Sequence, residues 1–256
     1  YNPDGKKGWG APDISGTQFA LLGIHSAHTM GLFDMKKKAN QLLLSNTLKL
    51  IIDAKIEYGP KVDVKMRFSG KTAKEKAKKE SKSKRKKSAV PVTQYGWGYS
   101  FLRARGGKAF VQSAYGAATL NAIGSMTICY EYLVNAKRSA GFDRTLKKKT
   151  LDAINGGLAT MQENYSPYNQ FGRFNSWGFY YVYGLERVGI LSEITHFGDR
   201  DWYRDGSLYL CNTQTEEGGW SARSFRGLGN TSYSLQDTVY AMLFLTKATA
   251  PLSSKK

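Results

Sequence analysis

Four Gly/Trp units divide this chain into similar stretches, and a chain so divided folds as a stack of like units rather than around one irregular core. The outermost two match best. Asn2-Pro3-Asp4-Gly5-Lys6-Lys7-Gly8-Trp9-Gly10 leads into Thr17-Gln18-Phe19-Ala20-Leu21-Leu22, and Gln214-Thr215-Glu216-Glu217-Gly218-Gly219-Trp220 leads into Thr238-Val239-Tyr240-Ala241-Met242-Leu243. Both read Gly-Trp, a loop, then Thr-x-aromatic-Ala-aliphatic-Leu. Two weaker copies lie between them, Tyr95-Gly96-Trp97-Gly98-Tyr99 and Asn175-Ser176-Trp177-Gly178-Phe179-Tyr180. The chain opens in the middle of such a unit, so further hairpins are expected upstream of Tyr1.

Between the units, apolar residues recur at steps of three and four, the helical spacing, and no convincing strand run remains. The pattern predicts helices over 16–33, 38–54, 112–137, 144–163, 176–190, 201–213 and 233–249. Asp13 or Ser15, Asp34 and Asp143 stand where a side-chain oxygen would cap the first, second and fourth of these. From 59 to 93 the composition shifts to Lys, Ser, Glu and Ala. Lys71 to Lys87 holds ten basic and two acidic residues, +8 of the chain's formal +18. Such a segment buries too little to offset its ordering entropy, so a flexible insertion is expected between hairpins in 1–58 and 94–250, with a short tail at 251–256.

Gln214 to Trp220 is similar to the Gln-Trp repeat, Q-x-x-x-G-x-W, of squalene and oxidosqualene cyclases, and the Asp237-Thr238 helix resembles the inner helix that follows it. The stretch from Trp177 to Arg187, then Asp201 to Gly206, resembles bacterial squalene-cyclase-like repeat proteins. This resemblance, shared with protein prenyltransferases, implies an all-α fold: an α/α toroid of helical hairpins, here a partial barrel because seven helices fall short of six hairpins. It also points to a bacterial, extracytoplasmic setting. Physical roles for the motif follow without the family. Glycines Gly218 and Gly219 allow a sharp reversal, Gln214 can tie down loop backbone, and Trp9, Trp97 and Trp220 offer large apolar plates between hairpins.

The chemistry of the resembled enzymes is missing from this sequence. Cyclases protonate an alkene with D-x-D-D. Here the nearest string is Asp199-Arg200-Asp201-Trp202, at a helix start where Asp serves as a cap. Prenyltransferase zinc needs Asp-x-Cys and a later His; no Asp-x-Cys occurs, and His25, His28 and His196 make no complete ligand set. Neither phosphate-binding Gly-rich loops nor Gly-x-Ser-x-Gly nor His-Glu-x-x-His strings occur. Glu131, Glu186 and Asp237 fall on expected inner helices, so a carboxylate pair in a central cavity stays open as a glycosidase or lyase reading beside simple hairpin-linking contacts.

A cluster of aromatics, Tyr168, Trp177, Tyr180, Tyr181 and Tyr183 among them, suits an apolar isoprenoid or a stacked sugar if some rings face a cavity, and plain core if they do not. Lys78, Lys79, Lys84, Arg85, Lys86 and Lys87 could hold a polyanion or an acidic protein partner by salt-sensitive attraction, without sequence-specific reading of nucleic acid. Cys129 and Cys211 are the only cysteines and are too far apart in sequence for a metal knuckle. No apolar run nears the roughly 18 residues of a membrane span. The expectation is a non-catalytic repeat module that binds a partner or ligand and needs no cofactor; the alternative is an enzyme with a cavity for a terpenoid or carbohydrate.

Overall fold

The computed structural model describes residues 13–68, 91–100, 113–136, 139–172, 177–221 and 234–252. The chain is mainly helical, and each of the seven helices among the described residues lies where the periodicity predicts one. They are α1 (Ile14–Thr29), α2 (Lys38–Asp53), α3 (Gly116–Asn135), α4 (Arg144–Glu163), α5 (Gly178–Leu191), α6 (Trp202–Thr213) and α7 (Ser234–Leu245). Two of the expected caps are in place. Asp13 accepts from the Gly16 amide and Asp143 from that of Leu146, both at 2.7 Å. Asp34 instead accepts from Lys36 within the preceding turn, and α2 starts from Lys37 with no side-chain cap.

Helices alternate between two layers. The odd-numbered ones pack on one another in the order α1, α3, α5, α7, while α2 and α4 back onto α3 and α6 backs onto α5. Early residues of odd helices meet early residues, as in Asn121 with Tyr180 and Tyr180 with Tyr240, and late ones meet late ones, as in Thr127 with Ser192. The four odd helices therefore run in parallel. α3 is the hub, with Leu120, Ala122, Ile123, Met126 and Ile128 fully buried.

Two tryptophans make the same pair of hydrogen bonds at two places in the chain. The Trp97 indole donates to the Ile51 carbonyl in the last turn of α2 (2.8 Å), and its backbone amide donates to the Thr119 hydroxyl in the first turns of α3 (3.2 Å). The Trp220 indole donates to Leu210 in the last turns of α6 (2.9 Å), and its amide to Thr238 early in α7 (2.9 Å). Each staple adds a second donor to a carbonyl near the end of an outer helix, one that already accepts from the Ala54 or Gln214 amide, and fixes where the next inner helix begins. Around Trp220, the Gln214 amide closes the loop onto the Gly218 carbonyl at 2.8 Å, and Gly218 takes φ +83°, a conformation a side chain would strain.

The expectation that no strand occurs is overturned. β1 (Ile56–Val62) pairs antiparallel with β3 (Val92–Gly96), and β2 (Met66–Phe68) pairs with β4 (Ile194–Phe197), which continues to β5 (Arg200–Asp201). The proposed insertion at 59–93 thus has paired backbone at both of its ends; its centre, including Lys71 to Lys87, lies outside the described residues, as does Trp9. The β3 ribbon lies on α4 because Gly156 has no side chain: a Cβ there would come within 2.7 Å of the Thr93 carbonyl and 2.2 Å of the Tyr95 ring. Among the described residues, no helix is long and apolar enough to cross a membrane.

Candidate functional site

Parallel inner helices bring their starts together, and a cavity of about 400 Å³ opens there. Ser15 and Phe19 line it from α1, Ala117 from α3, Tyr180 from α5, and Gln236 and Tyr240 from α7, with Tyr99, Tyr115 and Trp177 supplied by the segments that precede α3 and α5. Tyr99 is carried there by the loop after Trp97, whose carbonyl at Tyr99 accepts from the Ile14 amide at 2.9 Å. Of the nine described lining side chains six are aromatic, and none is a carboxylate, an imidazole or a thiol. A volume of this size fits a small ligand.

Trp177 stands at the mouth with 46% of its surface exposed, the only described tryptophan that is not buried. It is also the residue before α5, in the left-handed region at φ 58° and ψ 38°. A bulky side chain is costly in that conformation, and strain of this kind gathers at binding sites. Trp177 is thus a rim residue, exposed where Trp97 and Trp220 are buried.

Behind the cavity wall lies a buried charge. Arg187 of α5 has no exposed surface, and its guanidinium carbon is 4.4 Å from the centre of the Tyr183 ring, 5.0 Å from Tyr180 and 5.5 Å from Phe19. One of its nitrogens donates to Asn121 Oδ1 at 3.2 Å; Nε and Nη1 have no hydrogen-bond partner among the described residues. Gln18 and Ser125 add three more buried polar atoms of the same kind. The repeat explains the convergence. Phe19, Asn121 and Tyr240 each stand two residues after the Thr of their helix, Thr17, Thr119 and Thr238, and Tyr240 stacks on Tyr183 at 5.9 Å. Equivalent positions on parallel helices thus surround one arginine.

Of the rings expected to face a cavity, Trp177 and Tyr180 do so, and Tyr183 lies beneath, against Tyr240 and Arg187. Tyr181 and Tyr168 are not among the lining residues: Tyr181 is turned onto Gly116 and Gln170 in the core side of α5, and Tyr168 is exposed, edge-on to Tyr209 at 5.6 Å. Helix geometry accounts for this, since Tyr180, Tyr183 and Arg187 share a face at three- and four-residue steps whereas Tyr181 points away from it. Phe19, Tyr99, Tyr115, Tyr240 and Arg187 had no signal strong enough to select them beforehand, although Phe19 and Tyr240 are the aromatic of the repeat.

None of the candidate carboxylates lines the cavity. Asp201 caps α6, accepting from the Tyr203 and Arg204 amides at 3.1 and 3.0 Å, and Asp199 is exposed in the β4–β5 turn. Glu131 is bound by Asn135 one helical turn later at 2.7 Å. Glu186 is buried and gives its two oxygens to the amide and hydroxyl of Thr249 (3.1 and 2.7 Å), tying α5 to the segment after α7. Burial raises its pKa above the usual carboxyl value, against the lowering effect of Thr249 and Arg187. Asp237 is buried beside Gln236 and acts electrostatically on Tyr209 and Tyr240.

His25 is a tether. Its Nε2 must donate to the Ala250 carbonyl at 2.8 Å, so Nδ1 accepts from the Tyr132 hydroxyl. His28 bonds the Phe33 carbonyl through Nδ1 at 2.7 Å, and His196 meets Thr195. A second hollow of about 540 Å³ between α2 and the start of α4 is walled by Lys49, Asp53, Asp143 and Lys149. Its charges are of both signs and Asp143 is already committed to its cap, so it selects no ligand type. No protein family, curated protein or solved structure matches the chain.

Proposed function

We propose that the chain is a squalene-cyclase-like α/α-toroid repeat module that binds a ligand in the aromatic cavity at the start of its inner helices and does not transform it. The alternation of inner and outer helices and the repeated tryptophan staple support the toroid reading. One observation carries the functional reading: among the described residues the cavity wall offers six aromatic rings with Ser15 and Gln236, and no group able to act as a general acid or base near neutral pH. Rings flanked by hydroxyl and amide groups suit a sugar, which presents C–H faces to aromatics and hydroxyls to polar atoms. On this reading the Lys78–Lys87 run is a separate, salt-sensitive contact for a polyanionic or acidic protein partner.

Tryptophan fluorescence tests it, because Trp177 is the exposed reporter at the rim. Soluble oligosaccharides are expected to shift the emission saturably, the Trp177→Phe protein is expected to lose that shift, and the sugar is expected to be recovered unchanged. Cleavage of the sugar would refute the non-catalytic reading. Saturable binding of an isoprenoid with no response to any sugar would refute the ligand class.

A further inference from the structure

We infer that the ligand of this cavity is an acidic sugar, one bearing a carboxylate, and that Arg187 selects it. This rests on the cavity reading above and goes further by fixing the sign of the ligand's charge. Two independent observations point the same way. Arg187 is fully buried, yet two of its three guanidinium nitrogens have no partner among the described residues, and its sequence neighbour Glu186 gives both oxygens to Thr249. Tyr180 and Phe19, whose rings line the cavity, are the rings the guanidinium rests on, so the positive charge lies directly behind that wall.

The second observation is the direction of the helices. The starts of α1, α3, α5 and α7 all face the cavity, and the start of a helix carries the positive end of its dipole. α1 has an acidic cap there, Asp13 on the Gly16 amide, whereas α3 and α5 start from Tyr115 and Trp177 and have no acidic residue in the first turn. Asp237 is the one acidic residue of the α7 first turn. With aromatic rings between ligand and charge, little water screens the attraction. The same arrangement disfavours a cationic ligand, since Arg187 already sets a positive charge behind the rings that would hold it.

The experiment measures affinity for three oligosaccharides of equal length, built from uronate, neutral hexose and amino sugar, using the full chain at fixed ionic strength. The uronate oligomer is expected to bind about tenfold or more tightly than the neutral one, and the amino-sugar oligomer most weakly. Arg187→Met should erase this order. Because that variant alters a buried cluster and can fail to fold, Asn121→Asp is made beside it: the new carboxylate replaces the acceptor Arg187 already uses at 3.2 Å and neutralises it in place. In Asn121→Asp the ratio of uronate to neutral affinity is expected to fall to about one. Equal binding of uronate and neutral oligomers by the original chain would overturn the inference and leave the cavity reading standing. A uronate preference that survives Asn121→Asp and fades with added salt would also overturn it, assigning the preference to the lysine run. If neither oligomer binds and Trp177→Ala changes nothing, the cavity reading itself fails.

Discussion

Replacing Thr119 and Thr238 by valine, singly and together, tests whether the two tryptophan staples are one repeated device. Valine keeps the shape of threonine and removes the hydroxyl to which the Trp97 or Trp220 amide donates. Thr119 has no exposed surface, and Trp97 has none either, so in Thr119→Val the Trp97 N–H is left buried without a partner. That costs about 1–3 kcal/mol. Thr238 is half-buried, and water can replace part of the lost bond, so Thr238→Val should cost about 1 kcal/mol. At roughly 2–4 °C per kcal/mol for a chain of this size, the expected drops in midpoint are about 2–12 °C and 2–4 °C. The two staples share no residue, so the double variant should show the sum. Circular dichroism at 222 nm during thermal unfolding reads all three. A Thr119→Val protein as stable as the original would refute the staple as a source of stability, and a Thr238→Val loss larger than that of Thr119→Val would refute its dependence on burial.

Two further outcomes follow from single residues. Burial lowers the pKa of His25 below its usual 6.5, opposed by its bond to Ala250 and aided by the neighbouring His28. The neutral tether therefore stabilises the fold fully above about pH 6.5, and that stability is lost as pH falls towards the depressed folded value; a His25→Gln protein, measured by urea unfolding between pH 7 and pH 5, should lose less stability over that range than the original. At Trp177, glycine takes the left-handed conformation freely and alanine does not, so Trp177→Gly should be more stable than Trp177→Ala by about 1 kcal/mol, and equal midpoints would show that the φ of 58° carries no strain.

The helices were legible because their apolar faces are buried on a steady three-to-four step, and the Gly/Trp units were legible because those at Trp97, Trp177 and Trp220 stand between an outer and an inner helix. Trp97 and Trp220 show how far that reading reaches: a shared local pattern became a shared pair of hydrogen bonds. Trp177 shows where it stops, since a similar string there leaves the ring exposed at a rim while Trp97 and Trp220 are buried. The strands were hidden for a physical reason. β1 is exposed along most of its length and interrupted by Gly59 and Pro60, so it carries no alternation, and its partner β3 lies beyond the lysine run. Arg187 was hidden because a sequence shows which helix a charge is on, not which side chains of other helices, here Phe19 and Asn121, will close around it.

Hydrogen exchange of the full chain, followed by mass spectrometry with and without saturating oligosaccharide, tests the central claim most directly. The cavity draws its walls from segments far apart in sequence, near Ser15–Phe19, Tyr115–Ala117, Trp177–Tyr180 and Gln236–Tyr240. Ligand is expected to slow exchange in all four together, with little change in α2, α4 and α6 of the outer layer. Protection confined to one of the four, or falling on the outer layer alone, would contradict a binding site at the start of the inner helices.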